Sequence, residues 1–136
     1  MLVEHARSLV GITDATHAEY GGSGTAIVTL LACSLDGTEI DLAIEPSSSL
    51  ARIYGARAAI EQTTCNYGLE PTHAGIAASH GLRVAAIDDT GEVRAVERPD
   101  HPFFVATLYQ PQLTTAPGNP HPIFASFVAA AGAKVR

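Results

Sequence analysis

The sequence predicts a single mixed α/β domain over residues 1–136. Three observations carry this expectation. Helix-like and strand-like stretches are interleaved, with two hairpin-like pairs among them and no internal repeat or long linker. Hydrophobic residues make up 46% of the chain and charged residues 16%, which supplies apolar surface for a buried core and excludes whole-chain disorder. A length of 136 residues suits one domain and no more.

The elements follow in order. Leu2, Ala6, Leu9 and Val10 share one face at helical spacing, and Gly11 is a plausible stop, so residues 2–10 read as an amphipathic helix. The stretch 12–24, "ITDATHAEYGGSG", is polar and then glycine-rich, and reads as a loop. "TAIVTLLAC" is apolar and rich in β-branched residues, and "TEIDLAI" follows it after the turn signal Asp36-Gly37; the two are expected to pair as a hairpin. Ser47 to Ser49 offer an N-cap for a short helix through Tyr54, which Gly55 ends. "AAIEQT" reads as a strand, and "PTHAGIAASHG" as a helix with Pro71 near its start and Gly81 at its end. "LRVAAID" and "EVRAVE" flank a turn at Asp89-Thr90-Gly91. Phe103 to Ala106 form a short buried strand. From Pro122 to Lys134, Ile123, Phe124, Phe127, Val128 and Ala131 share a helix face expected to be buried.

Charge and composition narrow the function. The formal charge is −6 and Lys134 is the single lysine, which argues against nucleic acid and against an anionic membrane surface as partners. No apolar run reaches the roughly 18–20 residues that span a bilayer. Glu4, His5 and Arg7 interrupt the N-terminal apolar stretch, so it is not a secretory signal. Cys33 and Cys65 make no disulfide framework, and a reduced, cytoplasmic chain is expected. Neither cysteine stands at metal-ligand spacing, and the six histidines are scattered, so neither metal nor other cofactor is expected. The "GGSG" run has no lysine near it and does not make a phosphate loop.

The Phe103 strand stops at Gln110-Pro111-Gln112. A strand end followed by a sharp turn is where α/β proteins place reactive side chains, yet these two amides cannot take a proton at neutral pH.

Three stretches resemble the glutaminase domain of CTP synthase, a class I glutamine amidotransferase. "VEHARSLVGITDATHAEY" is similar to the helix after the family's catalytic cysteine, with Ala6-Arg7 at its Ala-Arg pair, and to the following segment that ends in Glu-Phe, here Glu19-Tyr20. "GLRVAAIDDTGEVRAVERPDHPFFVA" resembles the hairpin leading into the last strand, and "GNPHPIFASFVAAA" the closing helix. The resemblance implies a flavodoxin-like α/β fold: a partial class I amidotransferase-like sheet with helices, lacking its leading strands. It also implies a reaction, hydrolysis of glutamine by a cysteine at a strand–helix elbow, a proton-shuttling histidine and an orienting glutamate.

This chain departs from that pattern at each catalytic position. The family strand ends in Phe-His-Pro-Glu; here Gln110 stands at the histidine and Gln112 at the glutamate. The register places the Gly-x-Cys-x-Gly elbow a few residues before Met1, and neither Cys33 nor Cys65 lies in such an elbow. In "IEQTTCNYGLEP", Asn66 replaces a substrate-holding arginine and Cys65 a histidine, while Glu61 and Tyr67 remain. Glu19 matches the family's glutamine-binding glutamate.

The resemblance therefore implies a catalytically degenerate domain that binds a small amine or amino acid through Glu19, Asn66 and Tyr67, or a protein partner. Plainer readings stand beside it: Glu19 as a solvated loop carboxylate, Cys65 as a small buried filler, Gln110 and Gln112 as structural hydrogen-bonding residues, and His101-Pro102 and His121-Pro122 as turn and helix-start punctuation. Two rivals remain: a hydrolase or amidotransferase whose nucleophile comes from upstream sequence or a partner, and a structural subunit docked to another protein. The short chain reads either as the remainder of a coding sequence that begins upstream of Met1 or as a partial sheet. A partial sheet would bare an apolar edge, so a homo-oligomer or a protein partner is expected.

Overall fold

The structure is a computed structural model that describes residues 1–21, 23–31, 35 and 37–133. Cys33, Asp36 and Lys134, named above, lie outside the described residues. No described helix is long and apolar enough to cross a membrane.

The chain is mixed α/β, as expected. It opens in α1 (Leu2–His5), which widens into a π turn over Ala6–Val10 and stops at Gly11 in the left-handed conformation, with φ 88°. The described strands form two sheets. The smaller runs β1 (Ala15–His17), β2 (Thr25–Leu30), β5 (Tyr67–Leu69); the larger runs β4 (Ala58–Thr63), β3 (Thr38–Ile44), β6 (Arg83–Asp88), β7 (Val93–Glu97), β8 (Val105–Thr107).

The smaller sheet corrects two expectations. Part of the glycine-rich loop is a strand, because β1 pairs in parallel with β2, Ala15 opposite Thr25. Parallel neighbours normally need a crossover of a dozen residues or more. Here the connection is a single 3₁₀ turn, Ala18–Tyr20, and a return through Gly21 at φ 65°. Asp14 fixes the return: its carboxylate accepts from the Thr25 amide at 3.2 Å and from the Thr25 hydroxyl. A Cβ on Gly24 would lie 2.5 Å from the Asp14 carbonyl oxygen, so only glycine fits there. The second correction is that β2 and β3 do not form a hairpin. β2 pairs antiparallel with β5, and β3 with β4 and β6. The tight turn before β3 exists, with the Thr38 amide donating to the Leu35 carbonyl, but it leads into the other sheet.

The larger sheet follows the sequence more closely. β6 and β7 form the expected hairpin, and Asp88 holds its turn by accepting from the Thr90 and Glu92 amides at 3.0 Å. Ser48 caps α2 (Ser49–Tyr54) by accepting from the Ala51 amide, and Gly55 ends it at φ 66°. Glu97, fully buried, accepts from the Ser49 and Leu50 amides and from Arg83, which ties β7 to the start of α2. The final strand is shorter than read: β8 begins at Val105, and Phe103 and Phe104 precede it, half-buried. Residues 71–78 form a 3₁₀ helix, not an α-helix.

Two apolar cores result. One lies between α1, the smaller sheet and β7, around Ala6, Ile27, Val28, Leu69 and Val96. The other lies between the larger sheet, α2 and α3 (Pro122–Ala133), around Leu42, Ile44, Leu50, Ala95 and Ile123. The expected buried face of α3 is largely outward. Only Ile123 is buried; Phe127 and Val128 are 56% and 67% exposed, and Phe124 and Ala131 are exposed too. The helix meets the domain through the face carrying Ile123, Ser126 and Ala130, which are partly or fully covered and lie at helical spacing.

Candidate functional site

β8 delivers Tyr109 and Gln110 to the end of the larger sheet. Gln110 is engaged in structure. Its backbone amide donates to the Gln62 carbonyl at 3.1 Å, and its side-chain Oε1 accepts from the Thr64 amide at 2.8 Å. It therefore ties the last strand to the β4–β5 connection. Gln112, in the 3₁₀ turn Pro111–Leu113, is exposed, and its side chain makes no hydrogen bond to the described residues. The two amides do not form a pair.

The substrate-holding candidates come together only in part. At the end of β1 the His17 ring packs between Tyr67 of β5, at 4.9 Å between centroids, and Tyr20, at 5.4 Å. His17 Nδ1 accepts from the Glu19 amide at 3.1 Å, which orients the ring. Glu19 itself is exposed. Asn66 is already employed: its Oδ1 accepts from the Leu35 amide at 2.8 Å and its backbone carbonyl from the Leu31 amide. Cys65 is half-buried, and its thiol donates to the Tyr67 carbonyl at 3.7 Å. No glycine elbow surrounds it.

Next to this region, between the two sheets, lies a cleft of about 190 Å³. Leu2, Val28, Val96 and Ala106 give it apolar walls, His17 stands on it, and Arg94 lines it from β7. Arg94 is buried. Its Nε donates to Asp88 Oδ2 at 2.7 Å, while its Nη1 is buried with no hydrogen-bond partner among the described residues. Burial pushes the Asp88 carboxyl up, but hydrogen bonds from Thr90, Arg94 and the Glu92 amide outweigh it and hold the group below the usual carboxylate range.

One polar cluster was not legible in the sequence. His121 is no mere punctuation at the start of α3. It is buried, and its Nε2 lies 2.8 Å from Glu61 Oε1. Tyr54 of α2 donates its hydroxyl to the same oxygen at 2.5 Å, and also lies 3.1 Å from the Tyr109 hydroxyl and 3.3 Å from His121 Nε2. Burial, helped by the Tyr109 and Glu61 neighbours, raises the Tyr54 hydroxyl well above the ordinary range. Tyr109 moves the same way for the same first cause, opposed by its bond with Tyr54. The apolar pattern of β4 pointed the other way. Its alternation buries Glu61 and Thr63 and leaves Ile60 62% exposed, the reverse of what hydropathy favours.

No protein-family model matches the chain. It is similar to enzymes named CTP synthase: 31% identical to that of Phenylobacterium zucineum over 99% of this chain, 31% to that of a Caulobacter species over 96%, and 33% to that of a Chelativorans species over 95%. It spans only 27–28% of the length of those relatives. Among solved structures it is similar to the glutaminase domain of the Trypanosoma brucei enzyme, described with bound acivicin. The TM-score is 0.87 at 29% identity, covering 96% of this chain and 55% of that one. A GMP synthase protein of Thermoplasma acidophilum, at TM-score 0.57 and 16% identity, shares the fold alone; the match covers 85% of this chain and 51% of that one. The chain is thus a glutamine amidotransferase-like α/β domain that resembles the glutaminase domain of CTP synthase.

Proposed function

We propose that this domain binds a small amine or amino acid without hydrolysing it, as a degenerate member of the glutaminase fold serving a binding or regulatory role. The observation that carries the reading is the state of Gln110. The side chain at the end of the last strand is a neutral amide whose oxygen is engaged by the Thr64 amide at 2.8 Å. It can neither accept a thiol proton nor protonate a leaving ammonia, a contribution worth roughly 10²- to 10⁴-fold in rate. Gln112, exposed and uncharged, supplies no second group. Glu19, whose backbone amide bonds to His17, and Tyr67, whose ring packs on it, are the groups that would favour an ammonium ligand: a carboxylate for its charge and a ring face for its body. Asn66 acts behind them by accepting from the Leu31 and Leu35 amides.

The test is paired. Ammonia release from glutamine is measured on the purified chain, and glutamine binding is measured by calorimetry on the chain and on Glu19→Ala. The expected result is binding that weakens in the variant, with no ammonia above the buffer rate. Sustained turnover would defeat the reading, and so would equal binding by the variant.

One observation favours a second reading. His17 puts an imidazole on the cleft, oriented by the Glu19 amide, where a nucleophile from another segment could use it as a base. Turnover that appears only with added polypeptide and disappears in His17→Gln would select it.

A further inference from the structure

We propose that His121 works as a proton-operated latch on α3, closed while its Nδ1 carries no proton and opened when that nitrogen takes one. The first turn of the helix draws its acceptors from that one residue.

A helix leaves its first amides without partners inside the helix, and a buried one must find an acceptor elsewhere. In α3, Pro122 has no amide proton to place. The Phe124 and Ala125 amides donate to the His121 carbonyl at 3.0 and 3.2 Å. The Ile123 amide donates to the His121 ring at Nδ1, 3.2 Å away. Ile123 is the buried residue through which the helix enters the core of the larger sheet. His121 is itself held in place. Its amide donates to Thr115 Oγ1 at 2.9 Å, and its Nε2 lies 2.8 Å from Glu61 Oε1.

These contacts fix where the ring carries its proton. A ring nitrogen that accepts from an amide is bare, so the neutral imidazole keeps its proton on Nε2 and donates it to Glu61 Oε1. A second proton can then go only to Nδ1. It would face the Ile123 amide, donor against donor, and leave a buried amide without its acceptor. Turning the ring over would give up the bond to Glu61 as well. The charged ring and the side-chain cap therefore exclude one another.

Among the described residues, the titratable groups that face the ring are Glu61 from β4 and Tyr54 from α2, with Tyr109 behind Tyr54. Residues Pro122–Ala133 of α3 carry no charged side chain, and the positive end of the helix dipole disfavours an imidazolium there. The Glu61 carboxylate favours one. Their balance sets the pH at which the latch opens; the cap decides what opens. Opening loosens the turn that seats Ile123 and, further along, the Phe127 ring that packs on Phe103 at 5.5 Å between centroids.

The test is nuclear magnetic resonance on the 136-residue chain between about pH 8 and 5, where imidazoles ordinarily change charge. Ring nitrogen shifts of His121 should show the Nε2–H tautomer at the upper end and a doubly protonated ring toward the lower. Over the same midpoint the exchange protection of the Ile123 amide should fall at least about tenfold. His121→Asn, whose side-chain oxygen can cap but cannot titrate, should keep Ile123 protected throughout. Glu61→Gln should move the midpoint to lower pH, because the opposite charge is gone. Circular dichroism checks that the variants fold; should neither fold, the ring tautomer and Ile123 protection of the parent chain decide alone. The proposal is overturned by an Nδ1–H tautomer, or by a ring that stays neutral down to about pH 5, as it would if Glu61 took the proton. It is overturned equally by a charged ring with Ile123 still protected, or by a loss of protection in His121→Asn that matches the parent's.

Discussion

Two of the buried charge sites among the described residues differ in what encloses them. At the end of the larger sheet, Glu61 Oε1 sits among the Tyr54 hydroxyl, the Tyr109 hydroxyl beyond it and His121 Nε2, all supplied by elements that pack on one another. Only Glu61 Oε2 has no partner there among the described residues. Beside the cleft, Arg94 and Asp88 make one short contact, and one further donor nitrogen, Nη1, is buried with no partner among the described residues. The closed cluster joins four side chains and leaves only Glu61 Oε2 over among the described residues. The open side, the pair beside the cleft, leaves a buried donor next to a surface lined by residues of two outer strands.

The largest expected effect lies on the open side. Asp88→Ala removes the carboxylate that pairs Arg94 and the acceptor that holds the β6–β7 turn. Removing one partner of a buried ion pair costs about 3–5 kcal/mol, and here the guanidinium has no second carboxylate among its described partners to turn to. Urea unfolding should show this loss; a loss no larger than that of an exposed substitution would mean the pair is solvated. The same residue sets an acid response. Its folded-state pKa is lowered, so its stabilisation is present in full above the ordinary carboxylate range and is lost as pH falls through the folded value. Asp88→Asn should flatten that part of the acid unfolding curve.

On the closed side the effects should be smaller but coupled. Tyr54→Phe removes the donor to Glu61 and the bridge to Tyr109 at once, and should cost about 1–3 kcal/mol. Tyr109→Phe, which leaves the Tyr54–Glu61 bond in place, should cost about 0.5–1.5 kcal/mol. Because both act on one network, the double variant should fall short of the sum by about 0.5 kcal/mol or more, on the scale of typical contact couplings. Strict additivity would show that the hydroxyls act separately.

A third buried group, His5, gives a test near neutral pH. It is 7% exposed at the end of α1, its Nε2 has no partner among the described residues, and burial, reinforced by His80 and Arg98, lowers its pKa against an opposing contribution from the Ser79 backbone. The neutral ring is the form the fold accepts. Its contribution is therefore complete above the unfolded value of 6.5 and is lost as pH falls through the folded value. Thermal melts between about pH 7 and 5 should decline, and His5→Gln should decline less. An unchanged slope would assign the acid sensitivity elsewhere.

The same contrast explains what the sequence disclosed. Features made by neighbours in the chain were legible: the Ser48 cap, the Gly11 and Gly55 stops, and the Asp88–Gly91 hairpin. Features made by distant partners were not. β2 and β3 look like a hairpin because both are apolar and a turn signal separates them, yet long-range pairing with β5 and β6 decides their place. β1 has three residues among polar neighbours and no periodicity to detect. The α3 stripe has helical spacing, but spacing alone does not say whether anything covers Phe127 and Val128. His121 and Glu61 are 60 positions apart, and nothing local marks either as half of a pair. The substituted site was legible in identity, through the resemblance at Gln110 and Gln112, but not in geometry: one amide is engaged and the other exposed.

The smallest expected effect concerns activity. Gln110 lies at the border of the two regions, one residue past Tyr109 of the closed cluster and two past Leu108 of the cleft. Changing Gln110→His together with Gln112→Glu restores the family's residue types at the strand end. It should still give no glutamine hydrolysis from this chain. An imidazole can only activate a nucleophile within reach. The one described cysteine, Cys65, is half-buried and donates to the Tyr67 carbonyl, and its sequence neighbours are Thr64 and Asn66, not the glycines of an elbow. An elbow also supplies the backbone donors of an oxyanion hole, each worth roughly 3–4 kcal/mol, and two substitutions at the far strand cannot create them. The structural cost should be modest. Losing the Gln110 bond to the Thr64 amide removes about 0.5–1.5 kcal/mol, and the carboxylate introduced by Gln112→Glu would be solvated because that position is exposed. The measurement is ammonia release, with labelling by a glutamine-analogue electrophile as the second readout. Stoichiometric labelling of Cys65 or Cys33 would show that a nucleophile was in place all along, and would move the domain from binding to catalysis.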